Sequence, residues 1–212
     1  MKRFLVFGLG ITFAAALANA TVINTLTPGG ALITSTAVTA APTATLLGTS
    51  TGSYIGSTDI SATYTEWAYS DLANPYGAGD DTFVLKITTG AAIGGAVIES
   101  ATLGGFTGYN VTADYLSSSG QGASVNESVG GTVRYTFAPP PSGSGLTPGE
   151  VETLVLFTNS TSPVIPDGIS IQNFSAGNGV GLAPGVPEPM SMSLLGGGLA
   201  LLGALRFRRR NQ

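Results

Sequence analysis

Thr82-Phe83-Val84-Leu85-Lys86-Ile87-Thr88 decides the fold class. Phe83, Leu85 and Ile87 fall on one side of a two-residue repeat and Lys86 on the other, the pattern of a strand with one face in a core. Thr132-Val133-Arg134-Tyr135-Thr136-Phe137 repeats it, with Val133, Tyr135 and Phe137 opposite Arg134. The segment Val151–Thr158 reads VETLVLFT, nearly continuous apolar sequence, as expected of a central strand covered on both faces. Residues 60–69, 97–103 and 169–174 add further strand candidates. Turn signals separate them: Asn74-Pro75-Tyr76-Gly77, Gly104-Gly105, residues 117–122, residues 139–149 and Pro166-Asp167-Gly168. No apolar stripe of helical period lies between the two ends of the chain. The expected fold is all-β, an antiparallel β-sandwich of roughly seven to ten short strands, with a barrel as the alternative.

Composition narrows the chemistry. The 212-residue chain has no cysteine and no histidine. Disulfide scaffolds, thiolate nucleophiles, Ser-His-Asp catalysis and zinc sites built on Cys or His are thereby excluded. Only 9% of residues are charged but 43% are hydrophobic, so the shortage of charge does not mean disorder. Charge is also sorted along the chain. Residues 21–205 hold two basic and twelve acidic residues, a net −10, while Lys2, Arg3, Arg206, Arg208, Arg209 and Arg210 lie at the ends. So acidic a middle repels phosphate backbones, and no nucleic-acid partner is expected.

Each basic end adjoins an apolar run. Lys2-Arg3, the apolar residues 4–17 and Ala18-Asn19-Ala20 are the three parts of a secretory signal peptide. Ala18 and Ala20 suit the shallow pockets of signal peptidase, which predicts cleavage before Thr21. At the other end, residues 190–205 carry no charge and stop at Arg206-Phe207-Arg208-Arg209-Arg210. As a helix they would extend roughly 24 Å, a short membrane span served by snorkelling arginines. Arg206, Arg208, Arg209 and Arg210 act as the stop and stay on the cytoplasmic side. The chain therefore divides into a signal peptide at 1–20, a β-sandwich domain at 21–176, a flexible Gly/Pro-rich tether at 177–185 and a terminal anchor segment at 186–212.

Val186-Pro187-Glu188-Pro189, the short Gly/Leu/Ala-rich span and the arginine cluster together resemble the PEP-CTERM sorting signal of Gram-negative bacteria. The resemblance covers residues 186–212. It implies recognition of Pro187, Glu188 and Pro189 by an exosortase, and passage from the inner membrane to the cell surface or extracellular matrix. Residues 64–69, 83–87 and 146–150 also resemble parts of domains that precede this signal, a likeness that brings no established activity.

Within the domain, Trp67 with Tyr64, Tyr69 and Tyr76 is the densest aromatic cluster. Strict alternation puts Trp67 and Tyr69 on one strand face and Tyr64 on the other. A lone Trp ordinarily packs in a sandwich core; the competing reading is that Trp67 and Tyr69 stack on sugar rings as a carbohydrate contact. Asp71, Asn74, Asp80 and Asp81 in one Gly-rich loop offer hard oxygens for calcium, but the spacing is not that of an EF-hand, and acids in turns ordinarily cap them. Glu66, Glu99, Glu150 and Glu152 are numerous enough for a glycosidase pair, yet nothing local singles out two of them. The expectation is a non-enzymatic, exopolysaccharide-associated surface or matrix protein without a cofactor. A carbohydrate-binding module is the alternative, and a secreted glycoside hydrolase a distant one.

Overall fold

The computed structural model describes residues 25–30, 33–34, 44–54, 59–118, 124–137, 145–173 and 175–185. The signal peptide, Pro187-Glu188-Pro189 and the arginine stop lie outside them. The described residues form eleven strands: β1 (Ile33–Thr34), β2 (Ala44–Tyr54), β3 (Ile60–Asp71), β4 (Asp80–Ala92), β5 (Ser100–Leu103), β6 (Val111–Ser118), β7 (Ser124–Glu127), β8 (Val133–Thr136), β9 (Val151–Thr158), β10 (Val164–Asn173) and β11 (Ser175–Pro184). There is no helix among the described residues.

The strands make two antiparallel sheets in a sandwich-like arrangement. One has the order β2-β3-β4-β9-β6 and the other β1-β7-β8-β5-β10-β11. Alternation works as expected on β4, where Phe83, Leu85 and Ile87 enter the core and Lys86 stays exposed. On β8, Val133 and Tyr135 enter from the opposite sheet and Arg134 points out. Phe83 meets Phe106 edge to face, with ring centres 5.4 Å apart. Tyr135 is fully buried and reaches across the core to donate its hydroxyl to the Val155 carbonyl at 2.8 Å. This bond gives the phenol a partner where an unsatisfied one would cost free energy. Strand β9 lies between β4 and β6 and is covered on both faces, as its continuous apolar sequence implies.

Two readings are corrected by the strand pairing. The segment 177–185 is not a flexible tether: residues 175–184 form β11, paired with β10 from Ser175↔Asn173 to Pro184↔Val164. Its glycines serve close approach rather than looseness. A Cβ at Gly179 would collide with the Tyr64 hydroxyl, and one at Gly181 would stand 2.7 Å from Glu66 Oε2. The domain therefore continues to Gly185, whose N–H donates to the Pro163 carbonyl at 2.7 Å and whose carbonyl accepts from Tyr109 Oη at 2.6 Å.

Likewise, Pro166-Asp167-Gly168 is not a turn but lies within β10, with Pro166 opposite Leu182. Leu182 directs its N–H away from β10, to Glu66. The Pro166–Leu182 pair is thus a non-hydrogen-bonded one, and the missing proline N–H falls on the other side of β10. There β5 pairs only with Ile169–Gln172, so no ladder bond is lost.

Candidate functional site

The inward positions of β3 are taken by Ile60, Ala62, Tyr64, Glu66 and Ala68, all buried. Trp67 and Tyr69 must then face outward, on the outer side of the five-stranded sheet. Trp67 is not part of the core between the sheets, contrary to the ordinary use of a lone tryptophan. It is half-buried against a second apolar cluster formed by Val84, Val155 and Phe157, together with Tyr69 and Tyr76.

Strand register sets the layout of this face. One row across the sheet reads Thr49, Trp67, Val84, Val155, Asp114. The row beside it reads Leu46, Tyr69, Thr82, Phe157, Thr112. On the other side of the tryptophan row come Thr51, Thr65, Lys86 and Thr153. Beyond these, Ser53, Thr63 and Thr88 line an open depression of about 530 Å³ with Ser61 and Ile93. From Tyr69 to Thr63 the face runs roughly 20 Å at the usual strand rise. It passes from aromatic rings to a lawn of hydroxyls. Lys86 is its exposed cation, and no ion pair engages Lys86 among the described residues.

The acidic loop between β3 and β4 holds Tyr76 over this face. Asn74 Nδ2 donates to the Asp81 carbonyl (3.0 Å), to Thr82 Oγ1 (3.1 Å) and to the Thr158 carbonyl (3.2 Å). Asn74 Oδ1 accepts the Tyr76 N–H at 2.9 Å, and the Tyr76 hydroxyl shares a 2.9 Å hydrogen bond with Thr112 Oγ1 on β6. The tyrosine thus bridges the loop to the far edge of the sheet. Asp71 Oδ1 accepts from the Ala73 N–H (2.9 Å) and Oδ2 from Thr82 Oγ1 (3.1 Å). Asp71 and Asn74, two of the four residues weighed for calcium, therefore build the turn, and no cluster of three or more metal-ligating side chains exists among the described residues. Burial pushes the Asp81 carboxyl up to about 6, against a hydrogen bond from Ser160 and with a smaller push from Asp80.

The glutamates do not converge on a cleft. Glu66 and Glu152 are completely buried inside the domain, Glu66 opposite Leu85 on β4 and Glu152 opposite Ile87. Burial raises the Glu66 carboxyl to about 8, partly offset by the hydrogen bond from the Leu182 N–H and reinforced by Asp167. Glu150 caps a turn, accepting the Thr147 N–H at 2.6 Å.

Of the four aromatic residues grouped by sequence, Trp67, Tyr69 and Tyr76 come together and Tyr64 does not. Tyr64 points into the domain and donates to the Val180 carbonyl at 3.0 Å. Phe157, Val155 and Thr112 join the site from strands far along the chain. The continuous apolar sequence of β9 was the available sign of Val155 and Phe157, because its second apolar face needs a cover. No family model, curated protein or solved structure matches this chain.

Proposed function

We propose that this is a non-enzymatic surface or extracellular-matrix protein whose β-sandwich holds polysaccharide on the outer face of the five-stranded sheet. Export by the signal peptide, removal of residues 1–20 by signal peptidase and exosortase sorting at Pro187-Glu188-Pro189 complete the reading. The protein then waits on the inner membrane through its C-terminal helix before reaching the envelope surface of a Gram-negative bacterium. One observation carries the binding part: Trp67 and Tyr69 stand outside the core, side by side on one sheet face and joined there by Tyr76. Rings presented this way offer flat apolar area to the C–H faces of sugar rings at little cost in conformational entropy, and the threonine rows beside them supply hydroxyl partners. A face with one cation and few acids also suits a ligand held by stacking rather than by charge.

The binding reading is tested by affinity electrophoresis through gels cast with purified exopolysaccharide at low and high salt. Retardation that survives salt and disappears in a folded Trp67→Ala variant supports it; equal retardation of both proteins refutes it. The sorting reading is tested separately, by mapping the terminal peptides of protein recovered from the cell surface or matrix. A chain that begins at Thr21 and ends near Pro187–Pro189 supports sorting, and one that still ends at Gln212 refutes it.

A further inference from the structure

The two sheets have four outer edges, and on three of them the strand is either partly engaged or very short. On β6, the Leu26 N–H donates to the Val111 carbonyl at 2.7 Å and Thr25 bridges to Thr112, so the chain's own N-terminal residues cover its start. On β11, two outward backbone groups are satisfied by side chains of the other sheet. The Val180 carbonyl accepts from Ser50 Oγ (2.5 Å) and Tyr64 Oη (3.0 Å), and the Leu182 N–H donates to Glu66 Oε2 (2.8 Å). The third of these edge strands, β1, is two residues long.

Strand β2 is different. It is an edge strand of eleven residues, ATLLGTSTGSY, with no charge and no proline. Its pairing with β3 is regular from Gly48 to Tyr54, past a bulge that leaves Leu46 and Leu47 53% and 45% exposed. Among the described residues, no backbone hydrogen bond outside the β3 ladder is made by Ala44–Ser53. Lysines, prolines, inward charges, bulges or short length are the usual means by which sheet edges avoid pairing, and from Gly48 to Ser53 β2 has none of them.

We infer that the free edge of β2 is a self-association surface, on which a second copy of this chain adds its own β2 antiparallel to the first. Charge selects the occupant. Two copies of a domain with eleven acidic and two basic residues, a formal net −9, repel over most of their surfaces, so they meet most cheaply along an uncharged strip, and β2 is such a strip. Identical antiparallel strands meet about a two-fold axis, so the contact uses both free edges and closes at two copies. The outer faces of the two five-stranded sheets then join, with Thr49, Thr51 and Ser53 of both copies on one continuous surface. This inference does not depend on what the outer face binds.

The absence of native cysteine makes the test direct. In the full chain extracted in mild detergent, single cysteines introduced as Thr49→Cys, Thr51→Cys or Ser53→Cys are joined with a short thiol-to-thiol crosslinker, with Thr161→Cys in the exposed β9–β10 loop as control. The expected result is a two-copy mass by light scattering and crosslinked dimer from the β2 positions but not from position 161. The double variant Thr51→Lys/Ser53→Lys is expected to run as a monomer with unchanged circular dichroism. The inference is overturned by a single-copy mass for the unmodified chain, by crosslinking that is equal at position 161, or by dimers that survive the two lysines. A monomer whose β2 amides resist hydrogen exchange also overturns it, and identifies another segment of the same chain as the cover.

Discussion

Leu182 donates its backbone N–H to Glu66 Oε2 over 2.8 Å, so a carboxyl group from β3 satisfies an outward donor on the edge of β11. The contact joins the two sheets at the corner where the glycines of β11 let the backbone come close. It also explains why a glutamate occupies an inward position between Tyr64 and Ala68. The buried carboxyl is held as the neutral acid because burial outweighs the hydrogen bond that favours its charge.

Stability is expected to fall as pH rises because of this group. The folded protein keeps the Glu66 proton up to about 8, whereas the unfolded chain releases it near the ordinary value of 4.5. Between these values the folded state binds more protons, so stability is greatest below the lower one and declines through the interval by at most about 1.4 kcal/mol per pH unit. Asp81, raised to about 6, acts in the same direction over the lower part of the range. Urea midpoints are expected to drop between about pH 5 and about pH 8, and to drop less in Glu66→Gln. A midpoint that rises over this range contradicts the assignment.

Tyr64→Phe removes the donor to the Val180 carbonyl while keeping the ring packed against β11. A loss of about 1 kcal/mol is expected from one buried hydrogen bond. Denaturant unfolding of the two proteins measures it, and faster exchange confined to the amides of β10 and β11 would locate the effect.

Phe83 and Trp67 are expected to separate stability from binding. Phe83 is fully buried in the core between the sheets, so Phe83→Ala costs about 3–5 kcal/mol. Trp67 is half-buried on the outer cluster, and Trp67→Ala is expected to cost less while abolishing retention by polysaccharide. Equal destabilisation by the two substitutions would make Trp67 a core residue and remove its functional role.

Gly131 adopts a left-handed backbone with φ of +69°, and a Cβ there would collide with the backbone nitrogen of Thr107. Its N–H and carbonyl are both engaged, by Ser128 and Phe106. Gly131→Ala is expected to destabilise by more than about 1 kcal/mol, since strain and collision add. Gly94→Ala is the comparison: its φ of +66° carries the same conformational strain with nothing within 4 Å of the new methyl. The difference in thermal midpoint between the two variants isolates the collision.

Alternation in the sequence was enough to place β3, β4 and β8, and to put Trp67 and Tyr69 on the face opposite Tyr64, while β9 was marked by its continuous apolar run. A period of two is a local property, written into consecutive side chains. The sequence left undecided which face would turn inward, because β3 carries rings on both sides and a carboxylate on one. Burial of the Glu66 face was settled by the glycines of β11 and the Leu182 N–H, more than a hundred residues away. Strand β11 hid its alternation, since Gly177, Gly179 and Gly181 hold its inward positions and carry no apolar side chain to mark them, and Pro166 and Gly168 imitated a turn inside β10. The assembly of Trp67 with Phe157 and Tyr76 came from β-sheet register. Register joins strands across the whole chain through backbone groups that every residue carries alike, so only the folded structure could decide it.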